Sequence, residues 1–370
     1  MSFAATIPPV ARLGTEERET LAAVRRVCGT GSDSVRLRED VSRLLTRYLR
    51  ADAYCAMEID PATTLPVHDV NHGWPREYVV PLVEKALFAS RTADTGLLTR
   101  HPRRAVIVDE LLEGDSPKHD PYFQHHVLPF GYRHEIQFMC ISGGLPRALF
   151  TFNRRTERGS FEARHLRLLE AVAPHVGAAM HAACVRSALE ERPATDTGFI
   201  VLGPEGGVEL ANRVGARLLE SGPGHRSSLA LDVFMGLMRR SLREGNAPPI
   251  SAMSFTDRST SSTYRLVGER TIADDGRPRT IILLEPSRPV DSEVGLLRLG
   301  LTAREALVVT EVLRDENLVA CAARLGCAPA TVTRHVKNVF VKLSVGSRRE
   351  LALRLLGAPP NVTASPHGLP

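Results

Sequence analysis

The stretch from Leu301 to Leu351, LTAREALVVTEVLRDENLVACAARLGCAPATVTRHVKNVFVKLSVGSRREL, admits few folds, because helix starts and stops punctuate it at close intervals. Thr302 is followed three residues later by Glu305, the capping-box pair that satisfies free amides at a helix start, so a helix is expected from Ala303. Leu307, Val308, Val312 and Leu313 recur at helical spacing, and Asp315 to Asn317 break the run. A second, shorter helix is expected from about Leu318 to Leu325. Gly326 stops it, since glycine enters the left-handed conformation of a helix C-cap without steric cost. Pro329 suits the first position of a third helix, running to about Leu343, because its missing amide hydrogen would go unpaired there anyway. Helix, tight turn, helix is the helix-turn-helix pattern.

The third helix divides by face, each residue advancing about 100 degrees. Val332, Val336, Val339, Phe340 and Leu343 fall on one side and should pack on the preceding helices. Arg334, Lys337, Asn338 and Val341 fall opposite, with Thr333 on one flank and Thr331 and Lys342 on the other. These groups suit the DNA major groove: arginine and lysine donate to guanine, asparagine pairs with adenine, and threonine offers a hydroxyl or a methyl. Thr333, Arg334, Lys337 and Asn338 are the base-reading candidates, Thr331 lies beside them, and Lys342 and Arg348 are placed for phosphate. An ordinary amphipathic helix would show a similar charged face. The caps, the turn and a fourth helix expected from about Arg348 to Leu356 favour the DNA reader.

At Leu301-Thr302-Ala303-Arg304-Glu305, Leu325-Gly326, Pro329-Ala330-Thr331-Val332, His335, Asn338, Lys342-Leu343, Val345 and Ser347-Arg348-Arg349-Glu350-Leu351 the window resembles the LuxR-type helix-turn-helix, found also in NarL-like and FixJ-like regulators. The resemblance implies a transcription regulator that binds double-stranded promoter DNA as a homodimer, with the fourth helix, through Leu351 and Leu355, at the dimer contact; RNA polymerase is a further candidate partner. Two departures stand out. Val319-Ala320-Cys321-Ala322 makes an apolar second helix where the family has polar residues, and Ala328 replaces the usual serine cap, which should cost the third helix about 1 kcal/mol.

The charge agrees with a nucleic-acid partner. The chain has a formal net charge of +5. Between Gly295 and Ala358 ten Lys or Arg stand against five Asp or Glu, so the excess resides in the helical unit, where cations can meet phosphate. At 370 residues two or three domains are expected. No uninterrupted apolar run approaches the roughly 20 residues that cross a bilayer, and MSFAATIPPVARLGTEERE lacks the pattern of a secretory signal, so a cytoplasmic protein is expected. Six scattered cysteines, at 28, 55, 140, 184, 321 and 327, form no CxxC pair and read as reduced thiols.

Two further units precede the helical one. Residues 15–187 open with helical ETLAAVRRV and VRLREDVSRLLTRYLR, continue with strand-like DAYCAMEID, EIQFMCIS and RALFTFNR, and close on a long helix from about Phe161 to Glu190 containing Pro174. Gly143-Gly144-Leu145-Pro146 is a hairpin signal between two of the strands. Through PYFQHHVLPFGYRHEI, the paired strands and GSFEARHLRLLEAVAPHVGAAM, this α+β unit resembles a GAF domain. It is also reminiscent of the acyl-homoserine-lactone-binding domain, without that family's run of ligand contacts in register. Residues 195–288 read as TGFIVLG and GVEL strands around Gly206-Gly207, an Ala211-Asn212 helix start, and TYRLVGERTI and TIILLEP strands around Asp275-Gly276. That order resembles a PAS domain, also α+β. The expected fold is therefore multidomain: a flexible 1–14, a GAF-like domain at 15–187, a PAS-like domain at 195–288, an all-α four-helix helix-turn-helix domain at 296–358, and a flexible tail at 359–370.

For a small effector the ligand candidates are Cys55, Met57, Phe138 and Cys140 on strands, with Trp74 and Tyr78. His119, Tyr122, His125 and His126 gather near Asp115 and Asp120, a set read as a solvated surface rather than a metal site, since adjacent His125 and His126 diverge on a helix. No cofactor and no metal is expected. GxxxxGK[ST], HExxH and GxSxG are absent, as is a receiver-like acidic domain, and Asp274-Asp275 beside glycine reads as a turn, so no enzyme activity is expected. A one-component regulator with sensing domains is the leading reading. A protein-interaction or dimerisation platform with weak DNA binding is the alternative.

Overall fold

The computed structural model describes residues 13–61, 63–82, 85, 104–112, 118–190, 192–193, 196–220, 229–246, 248, 250–257, 262–273, 275–286, 296–297, 299–314, 317–348, 351 and 355. The chain divides into two compact units, 1–286 and 287–370. Asp115, Asp274, Asp315 and the tail at 359–370 lie outside the described residues.

The first unit starts with helices α1 (Thr15–Cys28) and α2 (Ser34–Leu49). The Asp33 carboxylate caps α2, accepting from the amides of Val35 and Arg36 at 2.9 Å each. A five-stranded antiparallel sheet follows, from β1 (Ala53–Ile59), β2 (Pro66–His72), β3 (Ala105–Ile107), β4 (His134–Ser142) and β5 (Leu145–Arg154), in the order β2-β1-β5-β4-β3. Gly143 and Gly144 both have positive φ, 64° and 85°, which a two-residue hairpin turn matched to sheet twist requires. The long helix α3 (Ala163–Glu190) contains Pro174 and lays Leu168, Leu169, Val172, Val176 and Met180 on Phe138, Phe150 and Phe152 of the sheet. Phe138 and Phe150 stack with centroids 4.8 Å apart. One stretch of α3, Ala163–Arg186, is long and apolar enough by composition to cross a membrane, and half of that window is buried inside the fold. The sequence pattern missed β2 and β3, whose short, mixed-polarity segments carry little period-2 signal.

Both faces of this sheet are covered, which explains why β1 is buried at nearly every position rather than alternating. On the helix side Arg38 is fully buried. Its guanidinium donates to the carbonyls of Ser34 (3.0 Å), Ala56 (2.8 Å) and His68 (3.0 Å), lies 3.0 Å from His68 Nδ1, and pairs with Glu58 at 3.3 Å. A charge so placed is tolerable because every donor direction meets an acceptor.

The second sheet, in the same unit, comprises β6 (Arg192–Pro193), β7 (Gly198–Leu202), β8 (Val208–Ala211), β9 (Ala252–Asp257), β10 (Ser262–Ile272) and β11 (Pro278–Pro286). Its order is β6-β10-β11-β7-β8, with β9 on β10, and all pairs but β6·β10 are antiparallel. Asn212 starts helix α4 (Arg213–Glu220) by accepting from the Phe199 amide at 3.1 Å and the Gly215 amide at 3.0 Å. The Asp275-Gly276 turn forms as expected, with the Asp275 carboxylate on the Arg277 amide at 2.9 Å.

Helix α5 (Leu229–Glu244), which sequence reasoning missed, is apolar almost all round. The reason is its place: it packs on β9, β10 and β11 on one side and on β2 and residues 79–81 of the first sheet's domain on the other, so the two domains share one core cluster.

The second unit has helices α6 (Ala303–Arg314), α7 (Leu318–Arg324) and α8 (Pro329–Leu343). Gly326 follows α7 with φ +60°, the left-handed stop expected of it. Asn317 caps α7, accepting from the Val319 amide at 2.9 Å, a role the sequence reading had given only as a polar break. Ala328 precedes α8 with no side-chain cap, as expected. Leu313 is exposed, so the apolar face of α6 is narrower than its sequence suggested.

Candidate functional site

Two places in the molecule carry chemistry that the fold does not consume. The first is the sheet face of the N-terminal unit opposite α1, α2 and α3. Strand register places Cys55, Thr151 and Gln137 in one row and Ala53, Asn153 and Glu135 in the next. Glu135 is completely buried and accepts from Tyr122 Oη (2.9 and 3.0 Å), Gln137 Nε2 (2.6 Å) and Asn153 Nδ2 (2.7 Å). Burial pushes its carboxyl up to about 7 despite these donors.

Over this polar floor stands an aromatic roof. His126 stacks on Trp74 at 5.0 Å and 13°, with Tyr122 at 5.0 Å and Tyr78 at 5.8 Å from the imidazole. Tyr132 lies 4.9 Å from Trp74 and donates to the Gly73 carbonyl. Tyr78 Oη donates to Asp69 at 2.5 Å and lies 3.8 Å from Cys55 Sγ. Burial holds the His126 imidazole down to about 3, so it is neutral, and the ring hydrogen-bonds to the Tyr78 backbone. Four buried polar atoms in this region have no hydrogen-bond partner among the described residues: Trp74 Nε1, His126 Nδ1, Thr151 Oγ1 and Asn153 Oδ1. Each such atom costs on the order of 1–3 kcal/mol if nothing meets it.

The second place is α8. Val332, Val339 and Leu343 are buried, Val336 and Phe340 are partly buried against them, and Arg334, Lys337, Asn338 and Val341 are exposed. Val341, at 79% exposure, is the most open large apolar side chain among the described residues. Thr331 and Thr333 are half-buried on the flanks, and Thr333 Oγ1 donates to the Pro329 carbonyl at 3.0 Å. Behind α8, Arg304 Nη2 donates to the Leu325 carbonyl at 3.0 Å, tying α6 to the end of α7, and Arg324 pairs with Glu311 at 2.5 Å. The exposed face of α8 is thus set on a scaffold of two small apolar cores.

Residues 299–355 match the family model described as bacterial regulatory proteins, luxR family. These residues form a LuxR-family domain. No curated protein matches the chain. Among similar solved structures, the GAF domain of a phosphoenolpyruvate-protein phosphotransferase from Coxiella burnetii is 16% identical over 47% of this chain and 97% of that one, with a TM-score of 0.35. A bacteriophytochrome from the photosynthetic bacterium R. palustris is 11% identical over 75% of this chain and 64% of that one, with a TM-score of 0.35. SdiA in complex with octanoyl-rac-glycerol is 12% identical over 92% of this chain and 93% of that one, with a TM-score of 0.29.

Within the LuxR-family domain the structure adds one contact and corrects one expectation. Lys342, expected at phosphate, pairs with Glu305 at 2.7 Å and reaches the Gly300 carbonyl at 3.3 Å. Arg348 is half-buried just after α8. Leu351 and Leu355, given a dimer contact by resemblance, are 1% and 2% exposed and pack with Leu296, Leu301, Ala306, Val309, Val339 and Leu343 of their own domain. A side chain enclosed in its own core cannot also face a partner. Val319 is 62% exposed on α7, so the apolar departure there lies at the surface.

In the N-terminal unit the six ligand candidates fall on two faces. Cys55, Met57, Trp74 and Tyr78 share the cluster of the aromatic roof, whereas Phe138 and Cys140 point into the core beneath α1, α2 and α3. The expectation of solvated histidines fails at His126, which is buried, while His119 is exposed and His125 half-buried. Sequence reasoning missed Glu135, Thr151 and Asn153. Polar residues two apart on each strand, Glu135 and Gln137 on β4 and Thr151 and Asn153 on β5, are the signal that could have found them.

Proposed function

We propose that this chain is a one-component transcription regulator that works in the cytoplasm, binding promoter DNA as a homodimer through Thr333, Arg334, Lys337 and Asn338 on α8. The observation that carries this reading is the division of α8 in a LuxR-family domain: an apolar face locked into two cores and a cationic, hydrogen-bonding face left open. Thr331 and Lys342 flank that face on α8, and together with Arg348 they are assigned phosphate contacts, which position the protein without reading sequence. The N-terminal unit, with its GAF-like and PAS-like sheets, supplies control. A small effector at the aromatic roof would act on α5, since that helix shares its core cluster.

Selection of duplexes from fragmented genomic DNA tests the reading: the full-length protein should enrich a small set of related sites at moderate salt. Equal recovery of random DNA would leave the second reading, an interaction platform with weak DNA affinity, which the exposed Val319 on α7 favours.

A further inference from the structure

The aromatic roof and polar floor of the first sheet are more than a covered core. Trp74, His126, Thr151 and Asn153 are each more than nine-tenths buried, and each holds one polar atom with no partner among the described residues. A hydrophobic core is built without such atoms, and a structural polar network satisfies its members; neither accounts for four in one region. Roof and floor are joined through Tyr122, whose hydroxyl reaches Glu135 while its ring meets His126, and through Tyr78, which meets both Cys55 and His126. The four residues are therefore linked in one connected cluster on this sheet face, called the enclosure below.

Their chemistry specifies an occupant. Trp74 Nε1 can only donate. His126 Nδ1 accepts, because the ring is neutral and hydrogen-bonds to the Tyr78 backbone while Nδ1 is left over. Asn153 has already committed its amide hydrogens' side to Glu135, so Oδ1 accepts as well, and Thr151 Oγ1 can do either. The carboxylates at the site among the described residues, Glu135 and Asp69, already accept hydrogen bonds, Asp69 from Tyr78 and Asn71. No arginine or lysine hydrogen-bonds or ion-pairs with these four residues among those described, and both oxygens of Glu135 are already taken by Tyr122, Gln137 and Asn153. An anion would lack a counter-charge among the described residues, and a cation would have to displace existing donors from Glu135 or Asp69.

We propose that this enclosure binds an uncharged organic molecule presenting a hydrogen-bond acceptor beside a donor, the acceptor to Trp74 Nε1 and the donor to His126 Nδ1, with Thr151 and Asn153 holding a second polar group. The proposal rests on the N-terminal unit being the sensing part of the regulator, and it names the chemistry of what is sensed.

The chain contains one tryptophan, Trp74, so its intrinsic emission reports on the site directly. Three probes of one shape and three charges, benzamide, benzoate and benzamidine, are titrated into the full-length protein at mildly alkaline pH. Benzamide should change the emission saturably, and the two charged probes should bind at least about tenfold more weakly. His126→Phe and Thr151→Val should each weaken benzamide by about tenfold, with unchanged circular dichroism; Thr151→Val keeps the shape of the side chain and serves if the histidine variant does not fold. Lack of a saturable change with benzamide, equal or tighter binding of a charged probe, or full benzamide affinity in the folded variants would overturn the proposal. Promoter selectivity measured on the same preparations separates the two readings: its loss with benzamide binding intact sinks the regulator and leaves the site, and the converse sinks the site alone.

Discussion

Lys342 Nζ lies 2.7 Å from Glu305 Oε2, the same oxygen that accepts from the Thr302 amide at 2.8 Å and hydroxyl at 2.9 Å. The last turn of α8 is thereby fastened to the capping box that starts α6. Burial works to raise the Glu305 carboxyl, and the hydrogen bonds from Lys342 and Thr302 outweigh it, so it titrates below the ordinary carboxylate range. A depressed carboxylate contributes stability above its unfolded value, lost as pH falls through the folded one. Lys342→Ala should therefore destabilise the LuxR-family domain by about 1 kcal/mol, the pair being partly open to solvent. The deficit, measured by denaturant unfolding, should be full near neutral pH and shrink below about pH 4. A pH-independent difference, or none, would show that the pair does not staple the helices.

The missing cap of α8 can be supplied. Ala328 already has the extended backbone of an N-cap, with φ −74° and ψ 147°. Ala328→Ser should raise the stability of the same domain by about 1 kcal/mol, visible as a higher unfolding midpoint with DNA affinity not reduced. Loss of stability would mean that the backbone there does not tolerate the bond.

Arg38 holds α2 to β1 and β2 through three carbonyls, a histidine and Glu58. Arg38→Met keeps the aliphatic bulk and removes every donor, so it should destabilise the N-terminal unit by about 3 kcal/mol or more. A change under about 1 kcal/mol in denaturant unfolding would show that the methionine repacks without need of the network.

Glu135 gives a pH signature of opposite sign to Glu305. Its folded value, raised from 4.5 to about 7, means that between these values the folded protein binds a proton that the unfolded chain has released. Stability from this group is present below the unfolded value and falls as pH rises through the window. Glu135→Gln removes the titration. Relative to wild type, the variant should gain about 3 kcal/mol between pH 4 and pH 8, whatever its constant offset. A difference that does not move with pH would place the carboxyl in a better-solvated site than the structure shows.

Much of this was legible in the sequence where local chemistry decides. The capping box at Thr302 and Glu305, Gly326, Pro329 and the faces of α8 were readable because each depends on neighbours within one or two turns. The Gly143-Gly144 hairpin and the Asn212 cap are of the same kind. What escaped depends on distant parts of the chain. Helix α5 is apolar almost all round because two sheets enclose it, which blurs its helical period. The histidines of PYFQHHVLPF read as solvated, yet His126 is buried, because Trp74 is brought beside it only by the folded chain. Phe138 and Cys55 read alike as inward strand positions, and only the cross-strand register, together with helices on both sides of the sheet, assigns them to opposite faces. The Lys342–Glu305 pair, between residues at opposite ends of the domain's three described helices, left no mark in sequence spacing.

The central claim, that the open face of α8 reads promoter sequence, is tested most directly by the salt dependence of binding to one selected duplex and one scrambled duplex, followed by fluorescence anisotropy. Wild type should prefer the selected duplex by about a thousandfold, Arg334→Ala and Lys337→Ala should each lose about 1–3 kcal/mol mainly on that duplex, and Arg348→Ala should weaken both duplexes alike while lowering the salt slope by about one. Equal affinity of wild type for the two duplexes, or unaltered selectivity in Arg334→Ala and Lys337→Ala, would contradict the account.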